Sequence, residues 1–167
     1  MLTNSIPDTL QILFLEGGDY WNISMIAVGL KSLLPKVRKQ VYLNDFAIDQ
    51  NDLITVIEHS YNTDELILWS CTIGTLDEKF TISSDIDFKI TYLDLFWTAR
   101  STFASYLDHE KAEIFFKALA KTKLKETLNM LHVHQMFFYG PKIQEICDHN
   151  GFEIKVVANH SPLFPDK

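Results

Sequence analysis

His132 and His134 are separated by a single residue, in the stretch Leu131-His132-Val133-His134. On an extended strand that spacing projects both imidazoles to one face, where their ring nitrogens could chelate zinc. Asp94, on the preceding strand of the pattern, could supply a third ligand. A zinc hydrolase needs further His or Asp ligands from other strand ends. None can be placed, because His109 falls in an irregular stretch and His149 on a helix. The residues therefore imply no metal, no cofactor and no catalytic group. His132 and His134 read instead as solvent-facing or partner-contacting side chains.

Two other stretches invite chemistry. Glu16-Gly17-Gly18-Asp19 lies between an apolar strand and an amphipathic segment, where glycines can cradle a phosphate. The full Gly-x-Gly-x-x-Gly pattern is missing, and Glu16 and Asp19 would repel the anion. The expectation is a plain turn whose glycines permit positive φ. Asp85 and Asp87 alternate like calcium-loop acids, but the glycine and terminal glutamate of an EF-hand are absent. No Gly-x-Ser-x-Gly or Walker pattern occurs.

The elements that would position these residues are legible from hydrophobic spacing. Glu65-Leu66-Ile67-Leu68-Trp69-Ser70-Cys71-Thr72-Ile73 reads as a short strand with Leu66 and Leu68 turned inward and Ile67 and Trp69 outward. The chain then bends, and Cys71 and Ile73 return to the same core. The same text recurs. Leu13-Phe14-Leu15 is followed by Gly18 and Tyr20, Val41-Tyr42-Leu43 by Phe46 and Ile48, Leu93-Asp94-Leu95 by Thr98, and Leu131-His132-Val133 by Met136 and Phe138. Ile154-Lys155-Val156 is a weaker last copy. The steps from 13 to 41, 66, 93, 131 and 154 are 28, 25, 27, 38 and 23 residues.

Between the strands the text favours helices. Asn22 can cap a helix from Ile23 to about Leu34, with Pro35 just beyond its end. Asp49 or Asn51 can cap one reaching Ser60, with His59 in its last turn. The stretch after Ile73 lacks helical periodicity, and no long helix is expected there. Arg100–Glu110, with Phe103, Tyr106 and Leu107, reads as an insertion. Asp108 can cap a helix from Glu110 to Lys121, and Pro141–Asn150 is a last helix closed by Gly151. The stretch 158–167, with Pro162 and Pro165, reads as a flexible tail.

A pattern of this kind, at periods of 20 to 29 residues, resembles the leucine-rich repeat family over Leu10 to Val157. Cys71 at the fixed small position and helical text between strands are similar to the ribonuclease-inhibitor-like subclass. The resemblance implies an α/β solenoid with a curved parallel sheet and helices on its convex side. It implies a single repeat domain over 1–167. End repeats need polar caps, and no polar caps are recognisable, so a fragment or end portion of a longer solenoid is expected. It also implies a protein-binding scaffold rather than an enzyme.

Composition narrows the classes. A formal net charge of -7 disfavours nucleic acid and anionic membrane surfaces as partners. With 47% hydrophobic residues the chain can bury a core, yet it contains no apolar run of membrane-spanning length. The opening Met1–Pro7 has no basic and apolar regions of a secretory signal. Cys71 and Cys147 read as buried, unbridged residues of a reducing intracellular compartment such as the cytoplasm.

Alternation assigns the outward side of the strands. One row holds Phe14, Tyr42, Ile67, Asp94, His132 and Lys155; the next holds Glu16, Asn44, Trp69, Phe96, His134 and Val157. Grouped exposed aromatics mark interaction sites. The expected partner surface is Tyr42, Asn44, Trp69, Asp94, Phe96, Trp97, His132 and His134, and the expected partner is another protein or subunit. Two other readings fit the same text. One is an assembly subunit that oligomerises through its sheet edge or aromatic face. The other is a doubly wound α/β enzyme, with His132 and His134 as metal ligands and a strand order that reverses near the middle.

Overall fold

A computed structural model describes residues 8–18, 21–97, 109–134 and 140–159, and the backbone alone of Phe96, Trp97, His109, His134, Gly140, Ala158 and Asn159. The protein is a mixed α/β chain. Its strands are β1 (Leu10–Glu16), β2 (Val37–Asn44), β3 (Ala47–Ile48), β4 (Glu65–Ile73), β5 (Tyr92–Trp97), β6 (Met130–His134) and β7 (Lys155–Asn159). Its α-helices are α1 (Ala27–Leu33), α2 (Gln50–His59), α3 (His109–Leu119), α4 (Leu124–Thr127) and α5 (Gly140–His149).

Every pairing among the described strands is parallel, and the sheet runs β1-β2-β4-β5-β6-β7 in chain order, with short β3 set beside β4. Among the described strands the order nowhere reverses, as a doubly wound sheet requires it to do. The register aligns the apolar positions across all six. Leu13, Val41, Leu66, Leu93, Leu131 and Val156 form one row, and Leu15, Leu43, Leu68, Leu95, Val133 and Ala158 the next. From β2 to β6 these side chains are fully enclosed, in one core with Leu30 and Leu34, Leu53 and Val56, Phe115 and Phe116, and Ile143 and Ile146 of the helical segments. Ile67, which points the other way, is buried but stays outside that core.

The bend after β4's paired stretch has a specific cause. Ser70 takes φ 54°, the pairing with β5 shifts between Trp69 and Cys71, and Cys71 and Ile73 turn back into the core. Asp45 does the same after β2 at φ 64°, returning Phe46 and Ile48. A second short parallel ladder follows the bend, joining Ala47 to Thr72 and Ile48 to Ile73, with Asn22 bridged to Ala47.

Asn22 accepts a hydrogen bond from the Ser24 amide at 2.9 Å, but the segment it caps begins as a 3-10 turn over Ile23–Ile26 before α1. Pro35 lies just beyond α1, inside a second 3-10 turn, Leu34–Lys36. Asp49 caps α2 through the Asp52 amide at 2.9 Å. Residues 74–91 contain no helix and are anchored by buried Leu76, Phe80, Ile82, Phe88 and Ile90. Gly151 closes α5 at φ 75°.

Three expectations are corrected. The last strand pairs Leu131 with Val156 and His132 with Val157, so Val157 takes the outward place given to Lys155. The strand also runs through Ala158 and Asn159, into the stretch read as tail. Neither Gly17 nor Gly18 takes positive φ; the need at Gly17 is space, since a Cβ there would sit 2.4 Å from the Asp45 carbonyl oxygen. The residues following strands 5 and 6 in the pattern, Thr98, Met136 and Phe138, lie outside the described residues. So do the insertion at Phe103, Tyr106 and Leu107, the Asp108 cap, and the tail from residue 160 onward.

Candidate functional site

The side chains that leave the sheet opposite the core stand in three rows. The middle row is Phe14, Tyr42, Ile67, Asp94, His132 and Val157. On one side of it run Glu16, Asn44 and Trp69, with the Phe96 backbone in register beside Trp69; on the other run Ile12, Gln40, Glu65, Tyr92, Met130 and Lys155. The repeated spacing produces this arrangement, because residues two apart share a face and parallel pairing in register stacks equivalent positions.

The rows divide into an apolar end and a polar end. At the β1 end, Phe14 stacks on Tyr42 with ring centroids 5.0 Å apart, and Phe14 is 57% exposed. Ile67 and half-buried Trp69 continue this patch onto β4. Asn44 donates from Nδ2 to Glu16 Oε1 at 3.3 Å, and Gln40 from Nε2 to Glu65 Oε2 at 2.7 Å, so polar neighbours along both borders hold each other.

At the β5–β6 end the structure brings Asp94 and His132 together. His132 Nδ1 lies 2.7 Å from Asp94 Oδ2, and the Tyr92 hydroxyl donates to the same oxygen at 3.1 Å. Asp94 is only 5% exposed. A carboxylate that deep needs donors around it, and Tyr92 and His132 provide two. Burial first, and then the Asp94 charge and hydrogen bond, push the Tyr92 hydroxyl well above its usual range. Burial likewise raises Tyr42, with Asp94, Cys71 and Glu16 adding to it.

This geometry changes what the pair can do. Asp94 occupies Nδ1 of His132 at hydrogen-bond distance, so it orients the imidazole and does not stand beside it as a co-ligand; a metal would have to approach Nε2. Among the described residues, no group of three or more His, Cys, Asp or Glu side chains could hold a metal ion. Gly17 does not offer its amide to a phosphate, because that N–H donates to the Asn44 carbonyl at 2.8 Å. Asp85 and Asp87 are exposed, and Asp87 pairs with Lys123 at 3.3 Å.

Of the residues expected on the partner surface, Tyr42, Asn44 and Trp69 lie together on β2 and β4. Asp94 and His132 adjoin them but face each other. The Phe96 backbone is in register with Trp69, that of Trp97 with Cys71, and that of His134 with Asn159; the side chains of Phe96, Trp97 and His134 lie outside the described residues. Tyr92 was missed by sequence reasoning. The available signal was its place two residues before Asp94, on the same face of the same strand.

Comparison with protein-family models, curated proteins and solved structures finds no match. No helix among the described residues is long and apolar enough to cross a membrane.

Proposed function

We propose that this chain is a leucine-rich-repeat solenoid, concave on the side of the outward rows, and that it binds another protein there. The observation that carries the reading is the contiguous apolar patch Phe14, Tyr42, Ile67 and Trp69 on the face opposite the helix-packed core. All-parallel sheets ordinarily have both faces covered. Here the helical segments contribute to one core, and a half-exposed phenylalanine remains on the other side. Sequential parallel strand order and in-register apolar rows support the repeat reading.

Tyr42 and Trp69 are the anchors of this interface, bordered by Asn44, with Asp94 and His132 at its polar end. Truncating one such aromatic anchor typically costs about 2 kcal/mol or more, roughly thirtyfold in affinity. The test uses the full chain as bait in extracts of its source cells, with Trp69→Ala and Tyr42→Ala compared by thermal melt and by a binding curve for each captured protein. A partner held by the parent chain and lost from both variants, at unchanged melting temperature, is the expected result. Variants that fold normally and keep every partner would place the interface elsewhere.

A further inference from the structure

The two edges of the sheet are built differently. β7 is a five-residue strand that opens on exposed Lys155, and a charged residue on a short strand guards an edge against pairing. β1 is seven residues long, LQILFLE, and contains no lysine, arginine or proline; its one charge is Glu16, at the end. Among the described residues β1 pairs with β2 alone. Leu13 and Leu15 belong to the core rows, yet they stay half-buried where Val41 and Leu43 beside them are fully enclosed. On the opposite face Ile12 and Phe14 are 58% and 57% exposed. At the same end of the molecule Met25 and Val28 are 74% and 87% exposed.

We propose that β1 pairs with β1 of a second copy of this chain, antiparallel, about a two-fold axis through Leu13. The strand is self-complementary about that point. With Leu13 facing its twin, Ile12 of each copy faces Phe14 of the other on the outward side, a cross-strand aliphatic–aromatic pair formed twice. Charge selects this orientation. A chain of net charge -7 repels its copy. Antiparallel pairing sets the two Glu16 carboxylates at opposite ends, about 20 Å apart along the strand, beyond the screening length of about 8 Å in physiological salt. A parallel alignment in the same register would place them side by side. The register shift between Leu10 and Ile12 limits regular pairing to the strand's centre, around Ile12, Leu13 and Phe14. A two-fold axis normal to the sheet keeps both helix layers on one side, extends the half-closed leucine rows into each other, and closes the assembly at two copies.

Sedimentation equilibrium of the full chain over a wide concentration range tests this directly. Twice the chain mass is expected for the parent. Ile12→Lys, at a position more than half exposed, should weaken association at least tenfold while leaving a folded monomer with the parent's far-UV circular dichroism; the melting temperature falls only by the stabilisation that association supplied. Leu13→Cys should form a cross-linked dimer under mild oxidation, since directly opposed Cα atoms of an antiparallel pair lie about 5 Å apart, within disulfide reach; Gln11→Cys should not. Native Cys71 and Cys147 are buried and give no background. A monomer at all concentrations, a growing polymer from β1-to-β7 stacking, or a dimer indifferent to Ile12→Lys would each overturn the proposal. If Leu13→Cys fails to fold, the parent and Ile12→Lys decide between these outcomes.

Discussion

Asp45 and Ser70 follow the paired residues Asn44 and Trp69 on neighbouring strands, and both take the left-handed backbone conformation, at φ 64° and 54°. The Asp45 amide donates to the Trp69 carbonyl at 3.0 Å, so the two bends are tied together. Left-handed geometry is costly for a residue with a Cβ, and most costly when that Cβ is branched. Ser70→Val should therefore lose about 1–2 kcal/mol of stability, whereas Ser70→Asn should change little. Denaturant midpoints of the two variants check this; equal midpoints would mean the bend is not constrained at Ser70.

Gly17 holds the corresponding place after β1. A Cβ at this position would clash with the Asp45 carbonyl, which is backbone and cannot rotate away. Gly17→Ala should lower stability by about 1–3 kcal/mol, in the range of other overpacked sites. At Gly18 the nearest atoms to an added Cβ are 3.7 Å away, so Gly18→Ala should be close to neutral. Thermal melts of the pair separate a steric need at one position from a general need for a flexible turn.

The Tyr92–Asp94–His132 cluster predicts an asymmetry. Asp94→Ala removes the acceptor shared by Tyr92 and His132 and leaves both donors facing a cavity, at about 1–3 kcal/mol. Tyr92→Phe removes one donor and should lose about 1 kcal/mol. Equal, negligible losses in urea unfolding would show that the cluster contributes nothing to the fold.

The thiols predict an alkaline limit. Burial pushes Cys71 up to about 12 from 9.0, and burial with the nearby Asp148 charge pushes Cys147 to about 12. Folded values above unfolded ones mean that the unfolded chain releases its protons first. The contribution is intact below pH 9 and is lost as pH rises from 9 toward 12, by up to about 4 kcal/mol for Cys71. Melting temperature should fall between pH 8 and pH 10.5, and less steeply in Cys71→Ala. At pH 8 a thiol reagent should label both cysteines only on unfolding. Rapid native labelling would contradict their burial.

The strands were legible because each inward pair is two bulky aliphatic residues around one outward residue, and parallel pairing brings those pairs level. The last strand misled for a related reason. Ile154, Val156 and Ala158 alternate, so a shift of two residues keeps every side chain on its face and leaves the hydrophobic pattern unchanged. Ile154 is buried even so, with Phe152, in the loop that follows α5. The left-handed residues were not legible, because Asp45 and Ser70 are neither glycine nor asparagine and their conformation is imposed by the ladders on either side. Within the candidate site, the outward places of Tyr42 and Trp69 on neighbouring strands followed from alternation alone. The Asp94–His132 contact depended on the step from β5 to β6, and the length of the intervening segment hid which residues would meet.

Sequential strand order bears on how the chain is made as well as on what it becomes. Each of β2, β4, β5, β6 and β7 completes its pairing with a strand that precedes it in the chain. Among the described strands, none must wait for a distant C-terminal partner as the polypeptide leaves the ribosome, beyond the last edge formed. Such a sheet can grow one unit at a time behind the point of synthesis, and its unpaired edge advances with the nascent chain.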